Sequence, residues 1–391
     1  RGFPARMASG RHPRGARGHR TNGTRRLRDA GGSIVSERDP SAVADRITPS
    51  AFDAWYTKRR RRENARLGKF HRNVPTGPPP EDVVFPSSLL CCHRKQYYRE
   101  HDAPAERRPP HGHFWVGSNV ETEVVLPFLE AAVTETTEYV RNSRGLAAPG
   151  ETGTDEVRHS GSTDPMLPTS EGRILLPTEV KTVADVGSTS LPREHHRAQL
   201  HAYLHGLSAS TGESIDAGLI IYLGKSDFSL APFFETFDEA FWTDRVVPWM
   251  EAHRAYRTAS GIPPATPEQA WECDRCEFRH RCGKTDGPVS DAGPAGFVPT
   301  VRYPRSEVEY LRRDPDVALT PTVAGAYPDL AAGTDVREWA CPACGTRVEF
   351  GTTDWDGDPE NRPVCPSCTS AGEYVPLAGT PPSRQSVIDL E

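Results

Sequence analysis

Apolar positions recur at helical spacing over 117–133 (GSNVETEVVLPFLEAAV), which predicts a helix kinked by Pro127. The pattern then switches to alternation. Strands are expected near 160–167 and over 173–183, flanking a turn at Thr169-Ser170-Glu171-Gly172. Residues 190–206 (SLPREHHRAQLHAYLHG) open on a serine cap and an early proline and stop at glycine, as a helix does. GLIIYL at 218–223 reads as a buried strand, and 238–256 as another helix. Upstream, Pro86-Ser87-Ser88 starts a helix leading into LLCCHRKQYY. The order helix, strands, helix, strand, helix predicts a mixed α/β layer domain over 86–285.

The flanks read differently. Residues 41–85 form a helical preface and linker: Thr48 or Ser50 can cap a helix carrying Phe52, Trp55 and Tyr56 on one face, and Gly77-Pro78-Pro79-Pro80 breaks the chain. Residues 286–335, rich in Pro, Asp and Ala, are expected to be a linker, 336–375 a small metal module, and 376–391 a disordered tail. With 36% hydrophobic residues, 37 Pro and 33 Gly, the chain suits an ordered centre with loose ends. Residues 1–40 hold ten Arg against three acids and are expected to be a disordered basic arm, although the whole chain carries a net charge of −6. No apolar run approaches the roughly 18–20 residues that span a bilayer. The expectation is a soluble, cytoplasmic protein with no membrane partner.

Nine cysteines change the picture. Paired CxxC units without a secretory signal point to metal ligation rather than disulfides. Cys341, Cys344, Cys365 and Cys368 make a C-x2-C-x20-C-x2-C pattern, the spacing of a zinc ribbon, with rubredoxin-like iron the minor alternative. The other five are Cys91, Cys92, Cys273, Cys276 and Cys282.

The candidate catalytic residues sit in the central pattern. Asp164 is followed, after fourteen intervening residues, by Glu179-Val180-Lys181. On a strand, Glu179 and Lys181 point to one face, so a hard oxygen ligand and an ammonium converge. That pairing suits metal-assisted phosphodiester hydrolysis. After seventeen intervening residues from Lys181, Gln199 and Tyr203 stand four apart and share a helix face able to donate to phosphate oxygens.

These residues resemble a known family. G-S-T-D (161–164), E-V-K (179–181) and Q-L-H-A-Y (199–203) are similar to motifs II, III and the QxxxY element of RecB-type PD-(D/E)XK nucleases. Gly117 followed by Glu121 stands where that family carries G-x-x-x-H, with Glu in place of His. Pro177 is a second departure, inside a strand expected to be central. Cys92-His93-Arg94-Lys95-Gln96-Tyr97 resembles the C-x-R-K-x-Y segment of iron–sulfur members, and Cys273, Cys276 and Cys282 their closing C-x2-C-x5-C segment. The likeness covers about 86–285 and is nearest to the CRISPR-associated Cas-four family and to nuclease domains of the AddB type.

The resemblance implies a restriction-endonuclease-like mixed sheet flanked by helices, its ends joined by a [4Fe–4S] cluster on Cys92, Cys273, Cys276 and Cys282. A four-thiolate zinc site is the alternative, and Cys91 remains open as the ligand in place of Cys92. It further implies Mg(II) or Mn(II) on Glu121, Asp164 and Glu179, with the Val180 carbonyl as a further candidate ligand. Lys181 would orient the attacking water, and Gln199 and Tyr203 would grip substrate. Arg94, Lys95 and Tyr97 would line a channel for the strand, or else support the cluster helix. The implied activity is exonucleolytic cleavage of single-stranded or frayed DNA in repair, recombination or CRISPR adaptation, alongside proteins of those pathways. The alternative is a non-catalytic DNA-binding or assembly protein that recognises its partner through the zinc ribbon.

Overall fold

The computed structural model describes residues 40–66, 80, 82–107, 111–133, 145–148, 158–168, 173–187, 191–287, 289–314, 316–358, 360–382 and 385–388. Residues 1–39 of the basic arm expected over 1–40, and the turn expected at 169–172, lie outside them. The chain divides into one unit over 1–76 and a second over 77–391.

The first unit contains α1 (Pro40–Ala44) and α2 (Pro49–Arg66). Thr48 caps α2 by accepting the Ala51 N–H at 3.1 Å. Phe52 stacks on Tyr56, and the Arg59 guanidinium lies over the Trp55 ring. No residue of α2 is buried within this unit.

The second unit is built on a four-stranded mixed sheet. Its strands are β4 (Met166–Pro168), β5 (Ile174–Val183), β6 (Ala217–Gly224) and β7 (Leu230–Thr236), in the order β4-β5-β6-β7. Only β5 and β6 pair in parallel, and the helix α6 (Glu194–Thr211) connects them. A smaller sheet orders β1 (Val83–Val84), β3 (Arg158–Ser162) and β2 (Gly145–Ala148). Pro177 does little harm where it stands. The ladder with β6 begins one residue later at Thr178, so no bond to β6 needed its missing N–H.

Helices cover both faces of the larger sheet. On one side α4 (His111–Val120), α5 (Leu126–Val133) and the turn between them bring Val120, Leu129 and Val125 against Ile221 and Leu223. On the other, Leu200, Tyr203 and Leu204 of α6 meet Ile220 and Tyr222. The kink expected at Pro127 takes a particular form: residues 121–125 make one π turn, closed by the Leu126 N–H on the Glu121 carbonyl. Proline cannot donate, and its ring crowds the carbonyl four residues back, so a wider preceding turn relieves both problems. The same device recurs before Pro248, where a π turn at 242–246 leads from α7 (Glu239–Phe241) into α8 (Val247–Thr258). No helix among the described residues is long and apolar enough to cross a membrane.

Two expectations about the flanks are corrected. Residues 286–335 are not a linker: Val289, Phe297, Val298, Val301, Tyr303, Val308, Leu319, Val323 and Leu330 close a core of their own. The segment contains α10 (Arg305–Leu311), α11 (Pro321–Ala326) and α12 (Pro328–Ala331), numbered after the short α3 (His93–Glu100) and α9 (Trp271–Asp274) of the cysteine region. Its apolar residues lie one turn or one bend apart without a long period, which hides them from pattern reading. The expected tail is also partly tied down. Ile262 N–H donates to Ser386 O, Ile388 N–H to Ile262 O, and Gln385 N–H to Asp291 O.

The packed layer also seats the C-terminal module. A Cβ added to Gly325 would lie 2.1 Å from the Trp355 ring, which is pinned by Nε1 donating to Asp358 O and Asn361 O. Gly325→Ala is expected to destabilise the protein by about 1–3 kcal/mol through overpacking. Thermal unfolding of the full chain checks this; an unchanged midpoint would mean that the layer and the module do not pack together.

Candidate active site and metal centres

Glu179 and Lys181 lie on the face of β5 that looks at α6, as the period of two requires. Glu179 is only 1% exposed. Its carboxylate is ion-paired with the Lys181 ammonium and lies near the Tyr203 hydroxyl. A buried carboxylate is costly, and the Lys181 ammonium offsets part of that cost. Asp164 sits where the chain passes from β3 to β4, and its Oδ2 accepts the Val180 N–H at 2.8 Å. Burial raises its pKa well above the usual carboxylate range, and the charges of Glu179 and Glu121 raise it further. Glu121 begins the π turn, and its charge acts on Asp164 from there.

The three carboxylates are neighbours without being drawn together. The four C-terminal cysteines form the only trio or larger set of metal-ligating atoms among the described residues whose members lie within 4.8 Å of one another. Glu121, Asp164 and Glu179 do not form such a set.

Gln199 lies elsewhere than sequence reading expected. It is 7% exposed, its Oε1 accepts from Lys181 Nζ at 3.0 Å, and its Nε2 donates to the Tyr203 hydroxyl at 2.7 Å. Tyr203 is buried as well, at 2% exposure. The pair fixes the ammonium against β5, and one of the two amide N–H donors is spent on Tyr203. Burial alone would lower the pKa of Lys181, but the Glu179 and Asp164 charges outweigh it, so the ammonium stays charged.

The first cysteine set surrounds one cavity. Cys92, Cys273, Cys276 and Cys282 line it together with Lys95, Tyr98, Glu272 and Lys284. Burial pushes the Cys92 thiol up to about 11 and the Cys276 thiol to about 12, so both stay protonated at neutral pH unless a cation is bound. Cys91 does not line the cavity; its carbonyl accepts from Trp249 Nε1 at 3.0 Å. Arg94 is corrected from a substrate contact to a support. At 2% exposure it donates to Pro263 O at 2.6 Å and pairs with Asp291, with Cys282 Sγ at 3.9 Å. Tyr97 likewise stacks on His101. Lys95 remains at the cavity wall, half-buried.

The C-terminal cysteines make a compact site. Sγ of Cys341 lies 3.7 Å from that of Cys368, and Sγ of Cys344 lies 3.6 Å from that of Cys365. Tetrahedral thiolates at ~2.3 Å from a zinc ion would be about 3.8 Å apart. The site could hold a metal such as zinc. Around it, β8 (Trp339–Ala340) and β9 (Arg347–Val348) form a hairpin, α13 (Pro366–Ser370) carries the last cysteine, and Trp339 and Leu377 complete a small core. Gly345, at φ +75°, supplies the left-handed turn after Cys344. The first set is wider, since no three of its sulfurs approach one another within 4.8 Å.

Sequence reading missed several residues around these centres. Glu106, Glu272 and the Arg281–Tyr303 pair hold the cysteine segment in place, and nothing in their local pattern marks them. Glu272 could have been suspected from standing next to Cys273.

No family model and no curated protein matches the chain. Among solved structures, the crystal structure of SSO0001 is 18% identical with a TM-score of 0.37, over 58% of this chain and 93% of that one. The chemistry is therefore read from the residues themselves.

The raised Asp164 carboxyl carries a stability consequence. An acid whose pKa is higher folded than unfolded stabilises the fold below its unfolded pKa and loses that contribution as pH rises through the folded value. Asp164→Asn should therefore stabilise the metal-free protein at neutral pH by on the order of 1 kcal/mol, or about 2–4 °C. Melting curves from mild acid to neutral pH test this. A lower midpoint for the variant at neutral pH would show that like-charge repulsion is not stored there.

Proposed function

We propose that this chain is a metal-dependent DNA nuclease of the PD-(D/E)XK kind, acting on single-stranded or frayed ends. The observation that carries the proposal is the buried Glu179 carboxylate, paired with a lysine held by Gln199 and Tyr203, with Asp164 in its neighbourhood. Asp164, Glu179 and Glu121 would hold Mg(II) or Mn(II). The ion supplies Lewis-acid polarisation of the scissile phosphate and a more acidic water. Lys181 stays cationic, offsets developing negative charge and orients the attacking water. Gln199 and Tyr203 position that ammonium rather than touching substrate.

The cysteine sets fit two different groups. The compact C-terminal set suits structural zinc in a ribbon, and the wider set around one cavity suits a [4Fe–4S] cluster. The settings follow from the resemblance: repair, recombination or CRISPR adaptation in the cytoplasm, with the proteins of those pathways as partners. A second reading is favoured by one observation, the open spacing of the three carboxylates. In it the domain binds DNA without cutting, and the ribbon recognises the partner.

Degradation of labelled single-stranded DNA in Mn(II) or Mg(II) decides between the readings. Wild type is expected to cut, and Lys181→Ala to lose about 100- to 1000-fold in rate, as when one group stabilising transition-state charge is removed. Wild-type protein that binds DNA but stays inert with both ions would favour the second reading. Independently, metal analysis is expected to give about four irons and one zinc per chain, with visible absorption. Two zincs and no iron would overturn the cluster and leave the carboxylate site standing.

A further inference from the structure

A set of cations and one exposed ring lies between the cysteine cavity and the carboxylates, and the proposed hydrolysis does not use it. Trp271, at the start of α9, is 41% exposed although it stands two residues from Cys273. The Arg193 guanidinium lies over its ring, 5.7 Å from the centroid, and the His195 ring is 5.9 Å away. Arg193 and His195 belong to the start of α6, whose next turn carries Gln199 and so reaches Lys181. Lys95 completes the group from the cavity wall.

The cations share one neighbourhood. After burial, the charges of Lys181, Arg193 and Lys95 together hold the pKa of His195 down to about 4. His195 is thus a neutral ring at physiological pH, able to donate or accept a hydrogen bond. The nearby acids are engaged elsewhere. Glu194 pairs with Arg245 at 3.2 Å, and Glu272 accepts the Cys92 N–H at 3.1 Å. Half-buried positive charge therefore stands beside the exposed Trp271 ring on a chain whose net charge is −6.

We infer that Trp271, Arg193, His195 and Lys95 form a platform for one unpaired nucleotide, the base stacking on Trp271 and its phosphate lying between Arg193 and Lys95. This deepens the nuclease reading and rests on it for the identity of the strand. An exposed indole stacks on any base that is free of a duplex, and guanidinium and ammonium groups take the backbone. Because α6 also carries Gln199, a strand held there would be led towards Lys181. Selectivity for single strands would follow from the requirement for an unpaired base.

The test is fluorescence anisotropy of a short labelled oligothymidylate with the full-length protein, without added Mg(II) or Mn(II) so that no cleavage follows. Trp271→Ala is expected to bind about 5- to 150-fold more weakly, the usual worth of one stacked base, and Trp271→Phe to keep most of the affinity. Arg193→Gln should lower the slope of log affinity against log salt by about 0.7, as expected for one phosphate contact on a single strand. Unchanged affinity in Trp271→Ala, in a protein that still cuts DNA, overturns the platform and leaves the nuclease standing. Trp271-dependent binding by a protein that never cuts leaves the platform and removes the nuclease. Should Trp271→Ala also lose metal from the neighbouring cysteines, Arg193→Gln decides, and an unchanged salt slope overturns the proposal.

Discussion

The closing of the chain on itself around residues 92–106 and 272–281 is the constraint on which the rest depends. The Cys92 N–H donates to Glu272 across a separation of 180 residues, and closing a loop that long costs about 5 kcal/mol of chain entropy. One hydrogen bond to a charged group is worth only about 1.5–3 kcal/mol. Several contacts must therefore act together. Glu106 accepts from the backbone N–H groups of His280 and Arg281, each at 2.8 Å, and its own N–H donates to Glu277 O. Arg94 and Trp249 add bonds to Pro263 and Cys91. The same closure gathers four thiols around one cavity, so any metal bound there strengthens a clasp that the protein already makes.

The sheet within that clasp is tuned against its own stability. Glu179 is buried, Asp164 is held in its neighbourhood, and Glu121 adds a third negative charge. A fold selected only for stability would place apolar groups there, as α4, α5 and the turn between them do on the opposite face with Val120, Leu129 and Val125. Lys181 offsets part of the cost, and Gln199 and Tyr203 spend their hydrogen bonds holding it. Helix α6 thus buries polar side chains on purpose. His201 shows the same economy: one ring nitrogen meets Arg197 O and the other accepts the Asp238 N–H, so a fully buried histidine is satisfied at both ends.

Much of the central architecture was legible in advance. The strands around Glu179 and 218–223 and the helix carrying Gln199 follow from alternation, a compact apolar run and helix stop signals. The four-stranded sheet and its flanking helices bear out a mixed α/β layer. The C-x2-C-x20-C-x2-C spacing foretold a four-cysteine cluster because two knuckles and a hairpin can fold in only a few ways. What was not legible was the packed layer over 289–331. Its core is assembled from short turns whose apolar residues meet only in three dimensions, so neither period marks it. The role of Arg94 was equally hidden, since an arginine in a basic helix looks the same whether it faces solvent or Asp291.

The basic helix and aromatic face of α2, the strands and helices around the sheet, and the grouping of the last four cysteines were determined by the sequence alone. Each depends on neighbours a few residues away, where spacing translates directly into geometry. Tertiary structure alone decided which side chains meet across long separations: that Gln199 turns inward to hold Lys181, that Glu121 bears on Asp164, and that Glu106 and Glu272 fasten the first cysteine to the last three. Those contacts depend on how layers stack and where burial leaves a charge without water, and no local spacing records either.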